Sequence, residues 1–296
     1  MATSSDNIDQ SRFEAPFLAA LLASQQRAIE AVAVSSEAIE RAAEAMSGRL
    51  AAGGRLVYIG AGSSGLIALQ DGAELPGTFG LDIGRIVFMI AGGMREVARL
   101  DAAAEDDISG AGADIAALGS MDRDVVIAVS ASGSTPYTLA RAKAARERGA
   151  SLIALANRAA SPLLHIADYP VLLDSGPEAL HGSTRLAAGT AQKCALGLLS
   201  TLANARLGHI YRGHMVNVRP ENDKLRRRAV HIIASIASVD EDSAGASLSR
   251  AKGDVKCAIV IASGAATRES AQDLIREAGG DVGAALKRLH PGAASF

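Results

Sequence analysis

The sequence predicts an α/β protein: a doubly wound parallel sheet flanked by helices, with N-terminal helices before it and a small helical C-terminal domain after it. Three observations carry this. Short apolar runs alternate with helical stretches from Arg55 to about residue 207, the pattern of consecutive βαβ units. Apolar residues make up 49% of the 296-residue chain and aromatics only 3%, with no Trp, so Ala, Leu, Ile and Val must supply the packing, which favours helices and buried parallel strands over a β-sandwich. Two turns rich in Gly and Ser directly follow apolar runs, as expected at the carboxyl ends of parallel strands.

The elements follow in order. Residues 12–52 predict helix, because Phe17, Leu18, Leu21, Leu22, Ile29, Val32, Ile39, Ala42 and Leu50 recur at roughly helical spacing until Gly53-Gly54 stops the run. Arg55–Ile59 is a short apolar strand, followed by a glycine-rich turn and a helical stretch that Pro76 is expected to end. Further strands are predicted at Ile86–Ile90, Asp124–Val129, Ser151–Ala156 and Tyr169–Leu173, separated by helical stretches at 94–104, 135–148 and about 184–207. Beyond about residue 215 the strand signal fades. There Gly253-Asp254 is echoed by Gly280-Asp281, each Gly placed to end one helix and each Asp to cap the next. The expected division is an N-terminal helical segment over 1–45, a sheet-bearing domain over 46–214 and a small helical domain, UBA-like, over 215–296.

Several function classes are excluded at this level. The formal charge is −2 with no long basic tract, so nothing builds the positive field that a nucleic-acid partner needs. The first residues are polar and lack the basic and apolar regions of a signal peptide, and no run of about 18 apolar residues predicts a membrane span. The expected location is the cytoplasm. Cys194 and Cys257 form no disulfide framework and are expected as small buried hydrophobes; the six histidines have no spacing suited to a metal, so neither metal nor organic cofactor is expected.

Gly60-Ala61-Gly62-Ser63-Ser64-Gly65 opens a helix directly after a strand, where Gly62 lets a ligand approach and the helix-first N–H groups with the Ser63 and Ser64 hydroxyls suit an anion. Its spacing does not match the dinucleotide fingerprint. A second turn, Ser130-Ala131-Ser132-Gly133-Ser134-Thr135, also follows a strand, and Pro136 stands where a helix starts. Hydroxyls from Ser130, Ser132, Ser134 and Thr135 around Gly133 make a phosphate cradle, and two such turns together point to a phosphorylated ligand.

The acidic residues are less decisive. Glu74, at the expected end of the helix after the first turn, would oppose the helix dipole, which disfavours its charge as a general acid requires; Asp71 stands one turn earlier. Glu105 lies in an acidic triplet that by itself reads as a cap or a solvated face. Glu178, His181, Ser183 and Arg185 fall between a strand and a helix, where Arg185 can pair with an anion.

Taken together, these motifs resemble the N-acetylmuramic acid 6-phosphate etherases, members of the sugar isomerase (SIS) fold group that also holds the glucokinase regulatory protein. The resemblance covers about residues 46–289 and rests on the two turns, Asp71–Gly80, Ile90–Gly93, Ala104–Asp106, Gly182–Arg185, Ala188–Lys193, Met215–Val218 and Asn222–Leu225. It implies a SIS-type sheet, an amino-sugar phosphate as substrate, a homodimer, and a cytoplasmic role in peptidoglycan recycling. It also implies Glu74 as proton donor and Glu105 as the second catalytic carboxylate. The chain departs from the family pattern at Leu66, Ser134 and Ala187, where the family carries cations, which points to weaker binding of the substrate's second anion or to a substrate without it. Two other readings stay open: an aldose–ketose phosphosugar isomerase with Glu178 or His181 as base, and a non-catalytic sugar-phosphate-binding regulator.

Overall fold

The computed structural model describes residues 15–96 and 101–291; residues 12–14 and 97–100 of the expected helical stretches lie outside them. The chain forms two compact units. The first takes the described residues up to Ala42, Val57–Leu69 and Phe88–Leu198; the second takes Ala43–Leu56, Gln70–Val87 and the chain from Leu199 onward.

The first unit is organised by a five-stranded sheet. Its strands are β1 (Leu56–Gly60), β2 (Ile86–Ile90), β3 (Val125–Ser130), β4 (Ser151–Ala156) and β5 (Tyr169–Leu172), in the order β2-β1-β3-β4-β5. β3 runs parallel to β4 with Val125 opposite Ser151, and β4 parallel to β5 with Ile153 opposite Tyr169. Every residue of β1, β3 and β4 is buried, so alternation between faces disappears and the runs read as continuously apolar. The predicted strands are all present, within a residue or so at each end. The chain leaves β1 toward β2 on one side and returns to β3 on the other. The carboxyl ends of β1 and β3 therefore flank the crevice where doubly wound sheets bind their ligands.

Two helices precede the sheet, α1 (Ala15–Val34) and α2 (Ser36–Ala51); α3 (Gly62–Phe79), α4 (Gly93–Glu96), α5 (Ala102–Asp106), α6 (Ala111–Ala116), α7 (Pro136–Glu147) and α8 (Pro162–Ile166) lie between its strands, and α9 (Ala187–Arg206) follows them. Pro136 occupies the first turn of α7, where its missing N–H costs nothing. The short helices α6 and α8 hold too few turns to show a period, and the sequence did not announce them. In α1, Ala28 and Val32 are buried, whereas Leu18, Leu22 and Ile29, expected on its packed face, are 57%, 55% and 48% exposed. The stretch Pro16–Val34 is long and apolar enough to cross a membrane by length and composition, with 22% of it buried, although Arg27 and Glu30 interrupt its apolar run.

In the second unit, α3 does not end at Pro76 but continues to Phe79. Leu75 and Phe79 are buried and hold the last turn, and the stop comes from further along the chain. The Asn217 side-chain amide donates to the Phe79 carbonyl at 2.6 Å, and Gly80, with φ +66°, has no room for a Cβ, which would lie 2.2 Å from the Asn217 carbonyl oxygen. A small hairpin pairs β6 (Ile210–Tyr211) with β7 (His214–Met215), and five helices follow: α10 (Asp223–Ala237), α11 (Glu241–Arg250), α12 (Val255–Ala262), α13 (Arg268–Glu277) and α14 (Val282–Leu289). Val255–Ile261 of α12 is wholly buried among Ile232, Ile233, Leu248 and Val282. The two Gly-Asp echoes are the same device used twice. Gly253 and Gly280 share φ +85°, and the Asp254 and Asp281 carboxylates accept from the N–H groups of Cys257 and Ala284 at 3.0 and 2.6 Å.

This unit also buries polar groups. Lys256 donates to the Gly280 carbonyl at 2.7 Å, and burial pushes its ammonium down to about 8. Burial, and then the Lys256 charge, push His209 down to about 4, so its neutral ring donates from Nδ1 to Asn204 Oδ1 at 2.8 Å. Asn204 in turn donates to the Ser200 carbonyl, and the Ser200 hydroxyl donates to the buried Asp71 carboxylate at 3.1 Å. Cys257 is fully buried and burial pushes its thiol up to about 11, consistent with a packing role.

Candidate active site

At the first turn, strand and helix pass too closely for any side chain. A Cβ on Gly60 would lie 2.8 Å from Gly65 Cα, and one on Gly65 would lie 3.1 Å from Ile90 Cγ2. Gly62 has φ +53°, and the Ser64 side chain is nearly buried at 9% exposure with Ser63 half-buried. The second turn is tied from within. Ser130, 2% exposed, accepts from the Gly133 N–H at 3.1 Å and pairs with the Thr135 hydroxyl at 2.8 Å. Ser132 accepts from the Ser134 N–H and hydroxyl at 3.2 and 3.1 Å. Ser130 is thus a brace for the turn, while Ser134 is exposed and Ser132 and Thr135 are half-buried. Gly133, at φ +64°, lies against α8: a Cβ there would be 2.3 Å from Ser161 Cβ.

Glu105 reaches the first turn. Its Oε1 lies 2.5 Å from where a Cβ on Gly62 would be, so the absence of a side chain at Gly62 makes room for the carboxylate. The neighbouring acids do other work. Asp101 caps α5 by accepting from the Ala103 N–H at 3.0 Å, and Asp107 accepts from Ser109, whose hydrogen bonds hold its carboxyl below the usual range. The segment that follows is clasped by Arg141 of α7, a buried guanidinium. It donates to Asp114 Oδ2 at 2.6 and 3.1 Å and to the Asp107 and Ser109 carbonyls at 3.2 and 3.3 Å, and it stacks 3.8 Å over the Tyr137 ring. Nothing in the sequence pattern singled out Arg141.

Glu74 belongs to the second unit. Because α3 continues for more than a turn beyond it, the expected opposition to the helix C-terminus does not apply, since that effect is confined to the last turn. Its carboxylate is exposed and accepts from Gln70 Nε2 at 3.0 Å.

Back in the first unit, both oxygens of Glu178 accept hydrogen bonds at 2.9 Å, from the N–H groups of Ala187 and Ala188, so the carboxylate caps the start of α9. His181 and Arg185 are exposed and Ser183 is half-buried in the loop before α9. Cys194, expected to be buried, is only half-buried. Among the described residues no three His, Cys, Asp or Glu side chains gather in a way that would hold a metal ion.

A 2-1-3-4-5 sheet carrying two Gly/Ser turns on adjacent strand ends is the arrangement of a SIS domain, and the SIS domain family matches residues 17–157. The chain is 44% identical over 258 residues to the N-acetylmuramic acid 6-phosphate etherase of Deinococcus radiodurans, covering 87% of this chain and 85% of that one. It is 42% identical to the enzyme of the same name from Rubrobacter xylanophilus, over 87% and 86% of the two chains. A solved phosphoheptose isomerase from Neisseria gonorrhoeae aligns with 66% of this chain and 97% of its own at 24% identity and a TM-score of 0.46. The chain belongs to the N-acetylmuramic acid 6-phosphate etherase family, and so to the carbon–oxygen lyases.

Proposed function

We propose that this enzyme cleaves the D-lactyl ether of N-acetylmuramic acid 6-phosphate with water, giving N-acetylglucosamine 6-phosphate and D-lactate. The observation that carries this reading is the Glu105 carboxylate set against Gly62 of the first turn. The turns at Gly62–Ser64 and Ser132–Thr135 take the phosphate, with Ser130 as their brace and Ser183 contributing from the loop before α9, while Arg185 of that loop pairs with an anion of the substrate. Once the sugar ring opens, the aldehyde at C1 acidifies the C2 proton. Glu105 removes that proton, and Glu74 protonates the ether oxygen as the C3–O bond breaks and lactate leaves. Water then adds across the C2–C3 alkene: hydroxyl goes to C3 while Glu74 takes its proton, and Glu105 returns a proton to C2. None of these steps calls for a metal or an organic cofactor.

Glu178 as the base of an isomerase is disfavoured, because capping α9 occupies both its oxygens. The reading is tested by incubating the protein separately with N-acetylmuramic acid 6-phosphate and with hexose 6-phosphates. D-lactate should appear with the first, and no ketose should appear with the others. Isomerised hexose without lactate would reverse the assignment.

The same reading places the enzyme in the cytoplasm as a homodimer that binds no nucleic acid. The exposed apolar side chains Leu18 and Leu22 on α1 support a protein-covered face. Light scattering should give twice the mass of one chain, and Leu22→Asp should halve it; a monomeric parent protein would remove the dimer from the account.

A further inference from the structure

The first unit holds a cavity of about 430 Å³ lined by the apolar Ile29 and Ile67 together with Arg185, Thr190, Lys193 and Cys194. Among the described residues that line it none is a carboxylate, and two are cations. Thr190 is fixed there by a hydrogen bond from its hydroxyl to the Gln25 side-chain carbonyl, and Gly189, also in the lining, packs with Ile67 Cδ1 3.2 Å from where its Cβ would be.

The position is as informative as the lining. Ile67 follows Ser63 by four residues and Ser64 by three on α3, so it lies on the same helix face as the first-turn hydroxyls, roughly 6 Å along the axis. The cavity therefore opens about one helical turn from the hydroxyls of the first turn. Neither turn contains Lys or Arg, and Leu66 and Ser134 stand where cations were expected. A substrate with two anions must then find positive charge elsewhere.

We infer that Lys193 and Arg185 in this cavity hold the lactyl carboxylate, with the lactyl methyl against Ile29 and Ile67. This rests on the etherase reading and adds to it a carboxylate subsite separate from the phosphate turns. A carboxylate paired with a cation at an apolar, partly enclosed wall gains more than a fully solvated pair, and the apolar wall suits the short alkyl group that carries it. The inference also assigns specificity: the subsite distinguishes the ether substrate from sugar phosphates that lack the acid.

The test is a pair of constants for the full-length chain: KM for N-acetylmuramic acid 6-phosphate, and the inhibition constant of N-acetylglucosamine 6-phosphate, which has the phosphate but no lactyl group. Lys193→Met should raise KM at least about tenfold and leave the inhibition constant unchanged, and Lys193→Arg should restore KM. Arg185→Met, at an exposed side chain, should give the same split. Equal loss in both constants would assign the cations to phosphate or to structure and overturn the inference; so would no change in either. If the parent chain releases no D-lactate at all, the etherase reading itself falls and takes the subsite with it. An active parent with unaltered variants removes the subsite alone.

Discussion

Glu105→Gln is expected to release D-lactate from N-acetylmuramic acid 6-phosphate about a thousandfold more slowly than the parent chain, the scale of a lost general base. Binding of N-acetylglucosamine 6-phosphate should be retained, because the amide keeps the shape of the carboxylate beside Gly62 and leaves both turns intact. Exchange at C2 separates the two proposed carboxylate roles. In deuterated water the parent chain and Glu74→Gln should both wash deuterium into C2 of recovered substrate, since removal of that proton precedes departure of lactate. Glu105→Gln should incorporate none. Deuterium uptake by Glu105→Gln at the parent rate would show that another group is the base.

Gly133→Ala is expected to lose about 3 kcal/mol of stability, combining roughly 1–2 for a side chain at positive φ with roughly 1–3 for overpacking. The clash is with Ser161 Cβ, 2.3 Å from the new methyl, and that atom is anchored to backbone at the start of α8, so it cannot swing aside. The N–H of residue 133, which now reaches Ser130, would move with it, so affinity for sugar phosphates should fall as well. Urea midpoints and inhibition by N-acetylglucosamine 6-phosphate measure the two effects. Gly77→Ala is the control: it lies within α3, meets nothing within 4 Å, and should be neutral or slightly stabilising. A Gly133→Ala protein as stable and as tightly binding as the control would show that the second turn tolerates a side chain there.

The sheet was legible because its central strands are apolar on both faces, and the two turns were legible because Gly and Ser in that density have few other uses. What escaped the sequence depended on partners distant along the chain. Pro76 looks like a helix end, yet the end is set at Gly80 by Asn217. Leu18, Leu22 and Ile29 have helical spacing, but spacing alone does not say which of two apolar stripes faces inward. Glu105 was indistinguishable by pattern from its neighbour Asp107, whose carboxylate holds a loop turn at Ser109; only family resemblance separated it. Glu178 shows the converse: position at the ligand edge of a sheet was legible, but not that both its oxygens accept from the first N–H groups of α9.

The Arg141 clasp has a further consequence. The segment just after Glu105 is fastened to α7, and α7 begins at the second turn, so the proposed base and the phosphate cradle share one frame. Anything that shifts α7 therefore shifts the base and the cradle together.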